Sequence, residues 1–174
     1  MSAIPKPTYT PEEYLVVERD SEIRHEFYRG ELFAMAGATA AHNQIALNVA
    51  SGLMAELRGK PCRVFALDMR VKVRPNGLYT YPDVAVACPP IEFEDDTRDT
   101  LLNPKVIVEV LSKTTEKYDR GKKFDLYREL ASLQQYVLIA QSEARVASYV
   151  RQADGVAWLM VPGDGPEGTL DFPT

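Results

Sequence analysis

The stretch Lys105-Val106-Ile107-Val108-Glu109-Val110-Leu111 decides the fold. An apolar, β-branched run of this length reads as a strand covered on both faces, so it belongs inside a layered α/β structure. Side chains alternate along a strand. Ile107, Glu109 and Leu111 therefore share one face, and Val106, Val108 and Val110 the other. Glu109 is the anomaly. An unpaired carboxylate in such a strand costs several kcal/mol, or takes up a proton. Pairing with a basic side chain, water at an open strand end, or a bound metal ion would each resolve it.

Upstream, Tyr81-Pro82-Asp83-Val84-Ala85-Val86 reads as a second apolar strand whose start is set by Pro82. If the two strands are neighbours, Asp83 and Glu109 converge at one end of the sheet. Hard oxygen donors of this kind suit Mg²⁺ or Mn²⁺. Taken alone, Asp83 is also an ordinary polar residue at a strand start. Downstream, a helix is expected over about 118–130. Asp119, Lys123 and Tyr127 are spaced to share one of its faces. A helix that follows the Glu109 strand packs back over the sheet and can bring Lys123 to the carboxylates. There the amine could orient or help deprotonate a water and offset charge on a phosphorane-like transition state. The alternative is an Asp119–Lys123 surface pair worth ~0.3–0.5 kcal/mol.

The rest of the chain fills in around this centre. Thr10, Pro11 and Glu13 form a capping box that opens a helix running to about residue 19. Strands are expected at 22–28 and 31–36 around an Arg29-Gly30 turn, then a small-residue loop at 37–41. A second helix, about 42–57, carries the apolar stripe Ala46, Val49, Ala50, Leu53, Met54 and Leu57, read as core. One long strand is expected over 62–73, an acidic mobile loop over 89–104, and a strand over 134–140. A hairpin at 145–151 and 156–161 turns on Asp154-Gly155, and a loose tail follows from 163.

The chain has 174 residues, 45% apolar and 26% charged, which is enough to bury a core without metal or disulfide. It is expected to be a single domain, with a core over about 8–161. No apolar run is long enough to cross a membrane. The opening residues lack the apolar core of a secretory leader, so the expected location is cytoplasmic. Cys62 and Cys88 fit no metal-binding spacing and are expected as buried free thiols. The net charge of −5 argues against a protein that coats nucleic acid. The charge is uneven, however. Residues 58–74 and 113–128 are locally basic, and 92–99 are acidic. The basic segments either bind phosphate or are solvated faces.

Together these residues carry a resemblance. Pro82-Asp83, the run Val108-Glu109-Val110-Leu111-Ser112, and Asp119, Lys123 and Tyr127 resemble the Uma-type "putative restriction endonuclease" family of the PD-(D/E)xK nuclease superfamily. Glu26, Gly30 and Glu31 resemble its early Glu and Gly-Glu positions. His42 resembles the histidine opening its second helix, Asp68 the acidic position of its long strand, and Ser112 and Thr115 also match. The superfamily's usual lysine position is Leu111 here, so the role is carried to Lys123 on the following helix. Ala140 stands where the family often has an aspartate.

The resemblance implies a restriction-endonuclease-like mixed central sheet flanked by helices and open at one end. It implies a metal-dependent DNA endonuclease, active as a homodimer. Asp83, Glu109 and Lys123 would be catalytic; Asp83, Glu109 and Glu26 would hold Mg²⁺ or Mn²⁺; His42, Ser112, Asp119 and Tyr127 would support them. Ser112 and Thr115 either bind phosphate or cap the third helix, and capping is preferred. His42 is either a general base or phosphate ligand or else structural or capping, the latter preferred. Tyr127 is read as packing in preference to a DNA contact. A silent nucleic-acid- or protein-binding module on the same fold is the alternative.

Overall fold

Two mixed sheets, not one, make up the α/β architecture, and a single bent hairpin ties them together. Its first arm is β3 (Arg63–Ala66) and β4 (Arg70–Val73); its second is β5 (Leu78–Thr80) and β6 (Val84–Ala87). The single strand expected over 62–73 breaks because Leu67 adopts φ 64°, a left-handed conformation that no strand continues through. The second arm breaks opposite it at Tyr81-Pro82-Asp83. A proline there has no N–H to donate to a ladder. Beyond the break each arm changes sheet. β4 and β5 pair in one sheet, β3 and β6 in the other.

The six-stranded sheet has the order β11-β10-β9-β8-β6-β3. Its remaining strands are β8 (Val106–Leu111), β9 (Gln135–Ala140), β10 (Arg145–Arg151) and β11 (Trp158–Asp164). β8 lies between antiparallel β6 and parallel β9, and all six of its residues are buried, as its composition demands. Helix α2 (Ala40–Glu56) covers one face, packing Ala50, Leu53 and Leu57 against Val84, Val86, Val106 and Val108. The other face meets a helical segment that packs Phe124, Leu126 and Tyr127 against Ala85, Ile107 and Leu111. Truncating Ile107 to alanine at this centre would cost about 2–5 kcal/mol. The five-stranded sheet, β2-β1-β5-β4-β7, comprises β1 (His25–Tyr28), β2 (Glu31–Ala34) and β7 (Thr100–Leu101) besides β4 and β5. Helix α1 (Pro11–Asp20) packs Tyr14 against Phe27 and Tyr79 of this sheet. The expected capping box is present, with Thr10 accepting from the Glu13 N–H and Glu13 from the Thr10 N–H.

The structure is a computed structural model that describes residues 8–164 and 172–173. The expected loose tails fall mostly outside the described residues, at 1–7, 165–171 and 174. Where the C-terminal tail is described it is not loose: Gly163 extends β11, and Phe172 packs against the α2 core. Among the described residues no helix is long and apolar enough to cross a membrane.

Four further expectations are corrected. Cys62 and Cys88 are disulfide-bonded, not free thiols. The β3–β6 register sets Arg63 opposite Ala87, so the cysteines one step outward face each other across the pair. The acidic loop is pinned, because Glu92 and Asp95 pair with Arg74 and Arg19, and β7 forms within it. Met54 is 63% exposed, at the edge of the α2 stripe. The expected third helix starts earlier and ends sooner. It runs as α3 (Glu116–Tyr118), a π-helical turn over Asp119–Lys123, and α4 (Phe124–Tyr127).

Candidate active site

The break in the hairpin sets Asp83 beside Glu109. In the β6–β8 ladder Val84 faces Val108, so the residue before β6 lies opposite the next residue of β8. Asp83 Oδ2 accepts the Val110 N–H at 2.7 Å, which fixes the carboxylate to the neighbouring strand. The neighbour relation expected from two apolar strands is therefore present.

Lys123 enters from the π-helical turn. Such turns are rare and cluster at functional positions, because the wider spiral re-aims side chains. Here both Asp119 and Lys123 point into the protein. Lys123 Nζ lies 2.9 Å from Glu109 Oε1, 3.2 Å from Glu26 Oε1 and 3.6 Å from Asp119 Oδ1. The solvated Asp119–Lys123 pair is thus not what forms. Tyr127 Oη donates to Glu109 Oε1 at 3.0 Å from full burial, combining the packing role expected of it with a polar one. Glu26, on β1, accepts from Thr80 and, at 3.4 Å, from Tyr118.

His42 does not cap α2. Thr39 is the N-cap and accepts the His42 N–H, while the imidazole Nε2 lies 3.3 Å from Asp83 Oδ2. The other ring nitrogen, Nδ1, is buried with no partner among the described residues. Ser112 accepts the Thr115 N–H at 3.1 Å and so tightens the entry to α3; Thr115 makes no side-chain cap. Asp68 lies away from this cluster, exposed and 3.5 Å from Arg24. Sequence reasoning missed Thr80, Tyr118 and Gln141. Gln141 donates to the Leu111 carbonyl and accepts from Thr39, tying the end of β8 to the start of α2. No local pattern marks these residues, because each acts across the fold.

The electrostatics are unbalanced. Burial pushes the Glu109 carboxyl up to about 8, against the opposing pull of Lys123, and Asp83 and Asp119 push it further up. Burial also raises Asp83, opposed by the Val110 N–H and His42. Burial lowers Lys123, but the surrounding carboxylates outweigh it and hold the amine well above its ordinary range, so it stays charged. Hydrogen bonds engage Oδ2 of Asp83 and Oε1 of Glu109. Asp83 Oδ1 and Glu109 Oε2 have no hydrogen-bond partner among the described residues. Among those residues no three His, Cys, Asp or Glu side chains form a closed metal cage. What forms is an open site of two adjacent carboxylates, each with an uncommitted oxygen. Mg²⁺ commonly binds through one or two carboxylates and completes its shell with water and phosphate, so the donor set fits such an ion.

A mixed sheet flanked by helices, with an acidic strand residue, Glu109, meeting the acidic residue that precedes the neighbouring strand, defines a restriction-endonuclease-like α/β protein. A solved structure described as a "putative nuclease belonging to DUF820", from Anabaena variabilis, has the same fold. Its TM-score is 0.74 at 20% identity, with 93% of this chain and 88% of that chain covered. The chain belongs to the Uma2 family, described as "Putative restriction endonuclease", whose signature matches residues 11–173. Two Synechocystis relatives, the uncharacterized proteins sll1609 and slr1290, are 34% and 35% identical. The alignments cover 94% and 90% of this chain, and 92% and 81% of theirs.

Proposed function

We propose that the protein is a nuclease that hydrolyses DNA phosphodiester bonds with a divalent cation, Mg²⁺ or Mn²⁺. The observation that carries this reading is the adjacency of Asp83 and Glu109, with Lys123 Nζ 2.9 Å from Glu109. Asp83 and Glu109 would hold the ion through their uncommitted oxygens. When bound, the ion lowers the pKa of a water and stabilises charge on the phosphodiester oxygens. Lys123 stays an ammonium at neutral pH, so it orients the attacking water and offsets developing negative charge. Glu26 holds Lys123 from the far side. Asp119 and Tyr127 fix the lysine and Glu109 against rotation. His42 holds the second Asp83 contact. Family membership supports a nucleic-acid substrate. A two-fold homodimer would present one site to each strand of a duplex.

Plasmid nicking in Mg²⁺, Mn²⁺ or EDTA tests the reading, with Asp83→Asn alongside. We expect cutting in the divalent ions alone, and its loss by about a thousandfold or more in the variant. Equal cutting by Asp83→Asn would overturn the assignment. No cutting in any metal would shift the reading to the silent binding module.

A further inference from the structure

Two sets of basic residues in this acidic protein differ in how they are paired. In β4 and the turn after it, Arg70 pairs with Asp99 at 2.9 Å, Lys72 with Glu94, and Arg74 with Glu92 at 3.2 Å. Arg63 is spent on backbone carbonyls. The 58–74 segment thus offers a phosphate little beyond Arg58 and Lys60, which follow the far end of α2. That 17-residue helix puts them roughly 25 Å from His42.

The second set neighbours the site residues along the chain. Arg29, Lys113, Lys117 and Lys122 are exposed, and no carboxylate among the described residues lies within ion-pair distance of any of them. Lys113 and Lys117 follow the Glu109 strand. Lys122 precedes Lys123, and Arg29 lies three residues beyond Glu26. The Lys122 amine and the Arg29 guanidinium both sit over the Tyr28 ring, 5.0 and 5.1 Å from its centroid. An aromatic face attracts cations without neutralising them, so their charge stays available.

Arg29 is also strained. Arg29 and Gly30, at φ 50° and 85°, form the two-residue loop between Tyr28 and Glu31, as a type I′ turn requires. Asn and Gly suit the first position. A long side chain there is disfavoured, and strain of this kind is concentrated at functional sites.

We infer that Arg29 and Lys122, gathered on Tyr28, are a docking point for the DNA phosphate backbone, with Lys117 and Lys113 continuing it along the mouth of the site. The inference names a binding surface for the proposed nuclease and rests on that reading for its substrate. Charge complementarity selects the occupant: unpaired cations on two elements, flanking a site poor in positive charge.

The test measures binding of a fluorescent DNA duplex in Ca²⁺ by anisotropy across a salt series, with melting temperatures alongside. Arg29→Asn restores a favoured turn residue while removing the charge. We expect it to melt at the same or a higher temperature and to bind more weakly. Arg29→Asn with Lys122→Gln should weaken binding about tenfold and lower the salt slope by roughly two. The control, Arg58→Gln with Lys60→Gln, removes the same charge at the far end and should leave binding unchanged. The inference is overturned by unchanged affinity in the first pair, by equal losses in both pairs, or by a wild type that binds no duplex. A lowered melting temperature in Arg29→Asn would likewise mark the arginine as structural. Cleavage is scored separately. Duplex binding through this surface without cutting in Mg²⁺ would refute the nuclease reading alone, and cutting with unaltered binding in the variants would refute the docking point alone.

Discussion

Two buried charge clusters lie within this fold, and they are built on opposite terms. Under α1, Glu18 is buried to 1% exposure yet is fully engaged. It accepts the His25 N–H, contacts the His25 ring at 2.9 Å and accepts the Tyr81 hydroxyl at 2.8 Å. Arg70, beside it, donates to Tyr81 and Thr100 and pairs with Asp99, which Arg19 also holds. Acids and bases are matched there. At the candidate site Asp83, Glu109, Glu26 and Asp119 face one lysine and one histidine, and two buried carboxyls are pushed upward. The hydrogen bonds of Arg19 pull Asp99 down to about 2, the reverse of what burial does to Glu109. A matched cluster holds the fold together. An unmatched one suits the divalent cation proposed above.

Four measurements test that contrast. The largest effect is expected at Lys123. Lys123→Gln removes the only ammonium among four carboxylates and should lower metal-dependent cleavage by about 10²–10⁴-fold. Near-normal cutting would reduce the lysine to a structural counter-charge. Next is Arg70→Ala, which leaves Tyr81, Thr100 and Asp99 without their shared guanidinium. Breaking one side of such a buried network costs about 3–5 kcal/mol. Chemical denaturation reads that loss; a change under ~1 kcal/mol would show that the cluster is not cooperative.

The third concerns pH. Folded Glu109 holds its proton up to about 8, against an ordinary value of 4.5. The folded state therefore binds the extra proton between those values, and its stability in EDTA falls as pH rises through that window. Glu109→Gln should flatten the fall and melt higher than wild type near pH 8. An unaltered slope in thermal melts across pH 5–8 would show that Glu109 is ionised throughout. The smallest effect is expected at Asp99. Its carboxyl is depressed, so its contribution is present above about 3.8 and lost as pH falls through about 2. Asp99→Asn should shallow the acid limb of the stability curve and leave neutral cleavage unchanged.

Much of this was legible in the sequence, for physical reasons particular to each residue. The burial of β8 followed from its composition, and the Glu109 anomaly followed from that burial. Pro82 announced where the Asp83 strand begins. Thr10 and Glu13 wrote the start of α1 into four residues. What stayed hidden depends on long-range geometry. Alternation over 62–73 is the same whether a strand continues or crosses to another sheet, so the break at Leu67 left no trace. The acidic loop looked mobile because Asp95 and Asp99 meet Arg19 from far along the chain. The Cys62–Cys88 bond depends on which strands pair. The π-helical turn has no compositional mark, although the shared inward face of Asp119 and Lys123 followed from their spacing.

The bent hairpin has a consequence for how this chain can evolve. The tip at residues 74–77 sets the β4–β5 register, and the break resets it by one residue before β3 pairs with β6, the extra residue lying on the first arm. A strand slipped by one residue turns every side chain to the opposite face. One residue inserted between Ala66 and Arg70 would be absorbed by a loop already off the ladder. One residue inserted between Thr80 and Val84 would rotate Asp83 away from Glu109 while leaving the tip intact. Length variation among descendants of this chain should therefore collect on the first arm and be purged from the second.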